Sequence, residues 1–113
     1  EDEPALASAV ADALTDAGYR VERAANGEAA LECVEARVFD LVICDLKMPR
    51  LDGPSFYRVL CERNPALARH VIFVTGDVAG TDSERFLIET GCRWLPKPFR
   101  LNDLLRAAHE VLG

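Results

Sequence analysis

Three residues whose side chains could together transfer a phosphoryl group each follow an apolar segment of the sequence. Asp45 and Thr75 come directly after unbroken apolar runs, and Lys97 follows a third, shorter run. A carboxylate can act as a nucleophile, while a hydroxyl and an ammonium can donate hydrogen bonds to phosphoryl oxygens. On its own stretch of sequence, Asp45 could equally cap the following turn. The three residues predict a phosphoryl-transfer site only if the fold brings them together.

Two further carboxylates, Glu1 and Asp2, stand just before the first helical pattern of the chain. If they join Asp45 in one crevice, three carboxylates would repel one another unless a cation lay among them. Mg²⁺ fits this demand, because it takes oxygen from one or two carboxylates, keeps several waters and completes its shell with a phosphate oxygen. The backbone carbonyl of Lys47 could supply another ligand. We therefore expect a Mg²⁺ site formed by Glu1, Asp2, Asp45 and Lys47.

Strand and helix patterns alternate along the chain, which predicts a parallel sheet covered by helices on both faces. The runs at 41–44 and 71–74 are typical of strands buried on both sides. Residues 19–24 alternate strictly, which predicts a strand near the sheet edge, and 92–95 predicts a short strand. Helical spacing predicts a first helix closed by Gly18 and helices over 28–35, from 52–54 to a break at 64–65, 81–90 and 101–112.

The order of these elements predicts a further strand of about six residues before Glu1. A chain that passes from its first acidic residues straight into a helix has the pattern of a strand–helix unit without its strand. We expect a flavodoxin-like, doubly wound parallel sheet of five strands in the order 2-1-3-4-5, with the first strand missing from this sequence. The carboxyl ends of its strands would meet at one edge, where ligands bind in such sheets.

Composition limits the class of protein and its partners. With 113 residues, the chain is long enough for a single domain over 1–113. Its net charge of -6, from 13 basic and 19 acidic residues, argues against nucleic acid as the main partner. The sequence contains no apolar run near the ~20 residues of a membrane span and opens with no signal peptide. We therefore expect a cytoplasmic domain without membrane contact.

The cysteines of the chain are far apart in sequence and form no CxxC pair. In a cytoplasmic protein, this pattern is typical of small core residues in a reducing compartment, and it argues against disulfide and metal roles. We expect this of Cys33, Cys44, Cys61 and Cys92.

Four motifs at strand ends resemble those of a receiver domain of two-component signalling, the response regulator family. Each motif is weak alone, but all four occur in order, and the resemblance covers the whole chain except the expected first strand. The motifs are Glu1-Asp2-Glu3-Pro4, Asp45-Leu46-Lys47-Met48-Pro49 with Asp52-Gly53, Val74-Thr75-Gly76 and Lys97-Pro98-Phe99.

The resemblance implies that Asp45 accepts a phosphoryl group from a histidine kinase or a histidine phosphotransfer domain. It further implies that Asp2 and Asp45 bind Mg²⁺ directly, that Glu1 helps through water, and that Lys97 pairs with the phosphoryl group. The Lys97–Pro98 peptide bond is expected to be cis. Such a module is not an enzyme acting on other substrates, because it catalyses only its own phosphorylation and dephosphorylation.

Switching in this family implies a second role for Thr75. Phosphorylation would draw its hydroxyl inward, and an aromatic side chain from the neighbouring strand could fill the space that it leaves. Trp94 stands where the family more often has tyrosine or phenylalanine. An indole is larger than a phenol, so Trp94 could instead be a fixed packing residue or an exposed partner contact.

The resemblance also suggests a partner surface and a parent protein. Receiver domains commonly dimerise or dock through the face built by the fourth helix, fifth strand and fifth helix, here 81–90, 92–95 and 101–112. The residues at 75–77 and 94–99 are similar to those of receivers attached to hybrid sensor histidine kinases.

Two other classes of protein share part of this pattern. A degenerate receiver would bind partners without phosphorylation, but the residues needed for phosphorylation are all present. A phosphohydrolase of the haloacid-dehalogenase type needs an acid two residues after its nucleophile to protonate the leaving group. Lys47 occupies that position, which argues against this second class.

Overall fold

The computed structural model describes residues 4–24, 26–46, 52–76 and 82–113 of the chain. Within these ranges, a helix follows every strand, as the sequence predicts, but two pairs of helices follow each other without a described strand between them. None of the described helices has both the length and the apolar sequence that crossing a membrane requires. The elements are α1 (Pro4–Asp16), α2 (Gly27–Ala36), β1 (Val42–Asp45), α3 (Gly53–Arg63), α4 (Pro65–Ala68), β2 (Val71–Thr75), α5 (Asp82–Thr90), β3 (Arg93–Pro96) and α6 (Leu101–Leu112).

The three described strands form one parallel sheet in the order β1-β2-β3. All five residues of β2 are buried, as the unbroken apolar run predicts for a central strand. Each strand lies within one residue of its predicted position. The parallel pairing places the carboxyl ends of β1, β2 and β3 at the same edge of the sheet.

Helices pack on both faces of this sheet. Successive side chains of β2 point to opposite faces, so they join different core clusters. Phe73 belongs to one core cluster, together with Phe56 and Leu60 of α3. Ile72 belongs to a second cluster, together with Leu104 of α6. The α/β fold with helices on both faces therefore agrees with the predicted class.

Side-chain caps determine where three of the helices begin. The Asn26 side chain accepts a hydrogen bond from the backbone N–H of the residue three positions later, and Asp52 and Asn64 do the same. Asn64 also ends α3, so the predicted break at 64–65 is confirmed. The single-turn helix α4 that begins there was not predicted.

The strand predicted over 19–24 does not form, so this prediction was wrong. Glu22, Arg23 and Ala24 line a cavity of about 120 Å³, and Val42 and Cys44 of β1 line it too. A strand requires a neighbour for its backbone hydrogen bonds, and none of the described strands pairs with this segment. Exposure follows the alternating sequence only over 19–22, since Glu22 and Arg23 are both exposed. The described sheet contains three of the five expected strands.

Candidate functional site

The carboxyl ends of the three strands place the candidate residues next to one another. Asp45 ends β1, Thr75 ends β2, and Lys97 directly follows β3. Asp45 is in register with Val74, and Thr75 with Pro96. Beyond β3, the Lys97 N–H donates a hydrogen bond of 2.7 Å to the Thr75 carbonyl. The backbone of Lys97 is thus fixed to the middle strand at the edge where β1 ends.

The side chain of Lys97 reaches across the edge of the sheet to Asp45. Its Nζ donates a hydrogen bond to Asp45 Oδ2 at 2.6 Å. The carboxylate is only 5% exposed and the lysine side chain 16%. A buried carboxylate is costly unless it is paired and hydrogen-bonded. The ammonium therefore stabilises a charged carboxylate at a position that water barely reaches.

Thr75 lies beside this ion pair and is almost fully buried, at 1% exposure. Trp94 is in register with Phe73, so Trp94 and Thr75 lie on adjacent strands, on the same face of the sheet, offset by two residues. Trp94 is 36% exposed to solvent. The indole thus lies on the strand next to Thr75 and reaches the solvent.

The start of α3 presses closely against the end of β1. The Gly53 N–H donates a hydrogen bond of 3.0 Å to the Leu46 carbonyl. A Cβ atom at Gly53 would lie 2.8 Å from Leu46 Cα and 2.9 Å from the Asp45 carbonyl oxygen. From the sequence, Gly53 is expected at a helix start and as part of a receiver motif, without a contact to Asp45. The structure shows that the backbone next to Asp45 requires a residue without a side chain there.

Cys44 is buried directly before Asp45. Its thiol donates a hydrogen bond of 3.3 Å to the Asp45 carbonyl oxygen. Burial, the largest cause, raises the pKa of the Cys44 thiol to about 12. The thiol therefore stays protonated at neutral pH and packs as a small apolar group, as predicted.

The remaining predicted ligands, Glu1, Asp2 and Lys47, lie outside the described residues. Within the described part of the chain, no group of three or more His, Cys, Asp and Glu side chains could hold a metal ion. Asp45 nevertheless offers the carboxylate oxygen that Mg²⁺ prefers, and Mg²⁺ needs only one or two carboxylates from the protein. The described donor therefore fits the expected ion.

The Lys97–Pro98 peptide bond is cis, as predicted.

Comparisons with known proteins agree with this geometry. A family model described as the response regulator receiver domain matches residues 1–109. The response regulator receiver protein CpdR of Brucella abortus is 31% identical over 99% of this chain and 92% of its own length. The sensor kinase CckA of the same organism is 35% identical over 99% of this chain, which spans only 12% of that kinase. The crystal structure of a CheY-like receiver domain protein from Methanospirillum hungatei is similar to this fold, with a TM-score of 0.89 and 28% sequence identity. The match covers 99% of this chain and 88% of that protein's chain.

Proposed function

The chain belongs to the response regulator receiver domain family, and on that basis we propose that Asp45 receives a phosphoryl group from a phosphohistidine donor. The contact between Lys97 Nζ and Asp45 Oδ2 carries this proposal. It joins a nucleophile and a cation at the carboxyl edge of a parallel sheet, where ligands bind in open α/β folds. The family supports a signalling role, and the individual step at Asp45 is our inference.

The transfer exchanges one bond to phosphorus for another. A carboxylate oxygen of Asp45 forms a bond to the phosphorus atom while the bond from phosphorus to the donor imidazole nitrogen breaks. The Lys97 ammonium is placed to hydrogen-bond to a phosphoryl oxygen and to offset its negative charge. The buried position of Asp45 strengthens this interaction, because charges attract more strongly away from water. The Thr75 hydroxyl can donate to a second phosphoryl oxygen.

The same site is suited to Mg²⁺. We propose that Asp2 and Asp45 bind the ion directly, that Glu1 contributes through water, and that the Lys47 carbonyl completes the protein ligands. Mg²⁺ would neutralise charge between the carboxylates and the phosphoryl oxygens. The position of Asp45 at the end of β1, within the described residues, supports this role.

Phosphorylation then changes the surface of the domain through Thr75. A doubly charged group on Asp45 attracts the Thr75 hydroxyl, and this movement changes the surroundings of Trp94 on the next strand. The shared sheet face and the offset of two residues support this coupling. Trp94 fluorescence is therefore the natural reporter of the switch.

The proposed partners are a histidine kinase or a histidine phosphotransfer domain, which donate the phosphoryl group in the cytoplasm. The face formed by α5, β3 and α6 is the proposed surface for a partner or a second copy, and neither nucleic acid nor membrane is a proposed partner. Two large apolar side chains on these elements reach the solvent, Ile88 on α5 at 73% exposure and Trp94 on β3 at 36%, and they support this choice of face. Ile88→Glu should weaken self-association in sedimentation experiments, and an unchanged association would exclude this face.

The parent protein could place this domain in either of two contexts. The relatives include a receiver protein of nearly the same length and a sensor kinase in which the matched region is a small part. We propose that the chain is a receiver module of a hybrid sensor histidine kinase, because its identity to the sensor kinase, 35%, is higher than its identity to the receiver protein, 31%. Sequencing the gene on both sides of this segment tests the proposal, and an uninterrupted stand-alone reading frame would contradict it.

The function is tested by adding beryllofluoride or acetyl phosphate with Mg²⁺ and recording Trp94 fluorescence. Wild type should respond, and Asp45→Asn should not, because an amide cannot accept the phosphoryl group. Trp94→Phe controls for the source of the signal. An equal response in wild type and Asp45→Asn would remove Asp45 from its role, and phosphorylation-independent partner binding would then become the better account.

A further inference from the structure

The residue that follows Asp45 is held by two elements of the fold. The Leu46 N–H donates a hydrogen bond of 3.2 Å to the Val74 carbonyl of β2, and the Leu46 carbonyl accepts one of 3.0 Å from the Gly53 N–H. Leu46 is only 3% exposed, and its side chain joins the same core cluster as Phe56 of α3. Leu46 is therefore fixed between the middle strand and the third helix.

The first turn of α3 is itself fixed, so Gly53 is a firm support for its neighbours. The Asp52 side chain accepts a hydrogen bond of 2.9 Å from the Ser55 N–H and so caps the helix. The Asp52 carbonyl accepts another of 2.9 Å from the Phe56 N–H. Phe56 is fully buried in the core cluster and anchors this turn to the sheet.

Gly53 has no side chain at the point where one would collide with the backbone around Asp45. A Cβ atom at Gly53 would lie 2.8 Å from Leu46 Cα and 2.9 Å from the Asp45 carbonyl oxygen. Atoms in ordinary contact lie about 3.5–4.0 Å apart. Both neighbours belong to the backbone, so an added Cβ atom would push α3 and the end of β1 apart by about half an ångström.

The end of β1 that would move carries the Asp45 carboxylate, and the ammonium that it faces is held elsewhere. Lys97 Nζ lies 2.6 Å from Asp45 Oδ2. The backbone of Lys97 is fixed by its 2.7 Å hydrogen bond to the Thr75 carbonyl on β2. The position of the carboxylate relative to this ammonium therefore depends on how closely α3 approaches β1.

We propose that Gly53 is a positioning residue for phosphoryl transfer to Asp45. Its N–H holds Leu46, and its lack of a side chain lets α3 come close enough to set the place of the carboxylate. The attacking oxygen and the leaving nitrogen must lie nearly in line with phosphorus, and an error of about 1 Å in such a geometry can slow a reaction about a hundredfold. This inference rests on the proposed function, because it takes Asp45 as the acceptor.

The test compares the rates at which intact chains react with phosphoramidate, a small donor with a P–N bond, in the presence of Mg²⁺. Circular dichroism sets a temperature at which each variant is folded. Gly53→Ala should react about tenfold more slowly than wild type, for a displacement of about half an ångström.

Leu60→Ala is the control for a loss of stability alone. Leu60 is fully buried on the same helix, about two turns beyond Gly53. Its truncation should lower the stability of the fold at least as much as Gly53→Ala does, because it leaves a cavity in the core. The rate of phosphoryl transfer should nevertheless stay at the wild-type value, because the first turn of α3 keeps its contact with Leu46.

A second pair of variants leaves Gly53 unchanged. Asp52→Ala removes the cap of α3, whereas Asp52→Asn keeps a capping side chain, and both remove the same negative charge. Asp52→Ala should react more slowly than Asp52→Asn, by up to about fivefold, the factor that corresponds to one capping bond. If Gly53→Ala did not fold, this pair would decide the outcome.

The results distinguish this inference from the proposed function. If wild type is phosphorylated but folded Gly53→Ala reacts at the same rate, Gly53 serves only the fold and the inference is wrong. Equal rates for the two Asp52 variants, or an equal slowing in Leu60→Ala, would overturn it as well. A wild type that takes up no phosphoryl group would contradict the proposed role of Asp45, and this inference with it.

Discussion

The Lys97 ammonium lies 2.6 Å from an Asp45 carboxylate oxygen, although the two residues are 52 positions apart in the chain. The contact spans the middle strand and joins the end of β1 to the residue after β3. It depends on parallel pairing of all three strands, because only then do their carboxyl ends meet. The proposed chemistry follows from this one contact.

Replacing Lys97 tests the energetic side of the contact. Lys97→Met should lower the free energy of unfolding by about 3 kcal/mol, because it leaves the buried Asp45 carboxylate without its ammonium. Urea denaturation at neutral pH measures the effect. The double variant Asp45→Asn with Lys97→Met should recover part of the loss, since both charges are then gone. If the double variant were less stable by the sum of the two single effects, the pair would contribute nothing.

Variants of Thr75 can distinguish phosphoryl transfer to Asp45 from the conformational change that follows it. Thr75→Val removes the hydroxyl but nearly preserves the side-chain shape and keeps the backbone carbonyl that Lys97 N–H contacts. We expect the variant to accept a phosphoryl group but to lose the change in Trp94 fluorescence. Thr75→Ser, which keeps a hydroxyl, should retain that change. A full response in Thr75→Val would show that the hydroxyl is not the moving part.

The close approach at Gly53 predicts a strong effect from one added methyl group. Gly53→Ala should lower the free energy of unfolding by roughly 1–3 kcal/mol, because its Cβ would overlap the backbone of Asp45 and Leu46. Gly76→Ala is the matched control beside the same site, since its Cβ would meet only Lys97 Cβ, at an ordinary contact distance of 3.8 Å. Equal stability of the two variants in thermal unfolding would disprove the close approach.

The buried Cys44 thiol predicts a loss of stability in alkaline solution. Its pKa is raised from 9.0 to about 12 in the folded protein, mainly by burial. The folded state therefore keeps a proton that the unfolded state releases. This contribution is complete below about pH 9 and is lost as the pH rises through about 12, at about 1.4 kcal/mol per pH unit.

Comparison with Cys44→Ala isolates this contribution. Urea unfolding at about pH 8 and about pH 10 should show wild type losing about 1.4 kcal/mol more than the variant. The other titrating groups are common to both proteins and cancel in the difference. A difference that did not change with pH would mean that the thiol is not protected from ionisation.

The positions of Asp45 and Thr75 could be predicted from sequence, because the apolar run before each packs against core clusters on both faces of the sheet and ends at a polar residue. Lys97 followed from the same logic at a third strand. These predictions needed only local patterns and the rule that parallel strand ends share an edge. The structure places all three residues as that rule requires.

The close approach that the sequence did not predict depends on a tertiary contact. Gly53 lies against the backbone of Asp45 and Leu46 because α3 packs on the end of β1, and such a contact leaves no periodic signal in the sequence. Residues 19–24 show the opposite case. Their sequence alternates and their exposure follows it over 19–22, but a strand also needs a partner for its backbone hydrogen bonds.

The most direct measurement of the central claim locates the phosphoryl group itself. The chain is incubated with a phosphorylated histidine donor and Mg²⁺, and the modified carboxylate is identified by mass spectrometry of its peptides. We expect one phosphoryl group, on Asp45, and none on the Asp45→Asn variant. A phosphoryl group on another residue, or equal labelling of wild type and Asp45→Asn, would contradict the account.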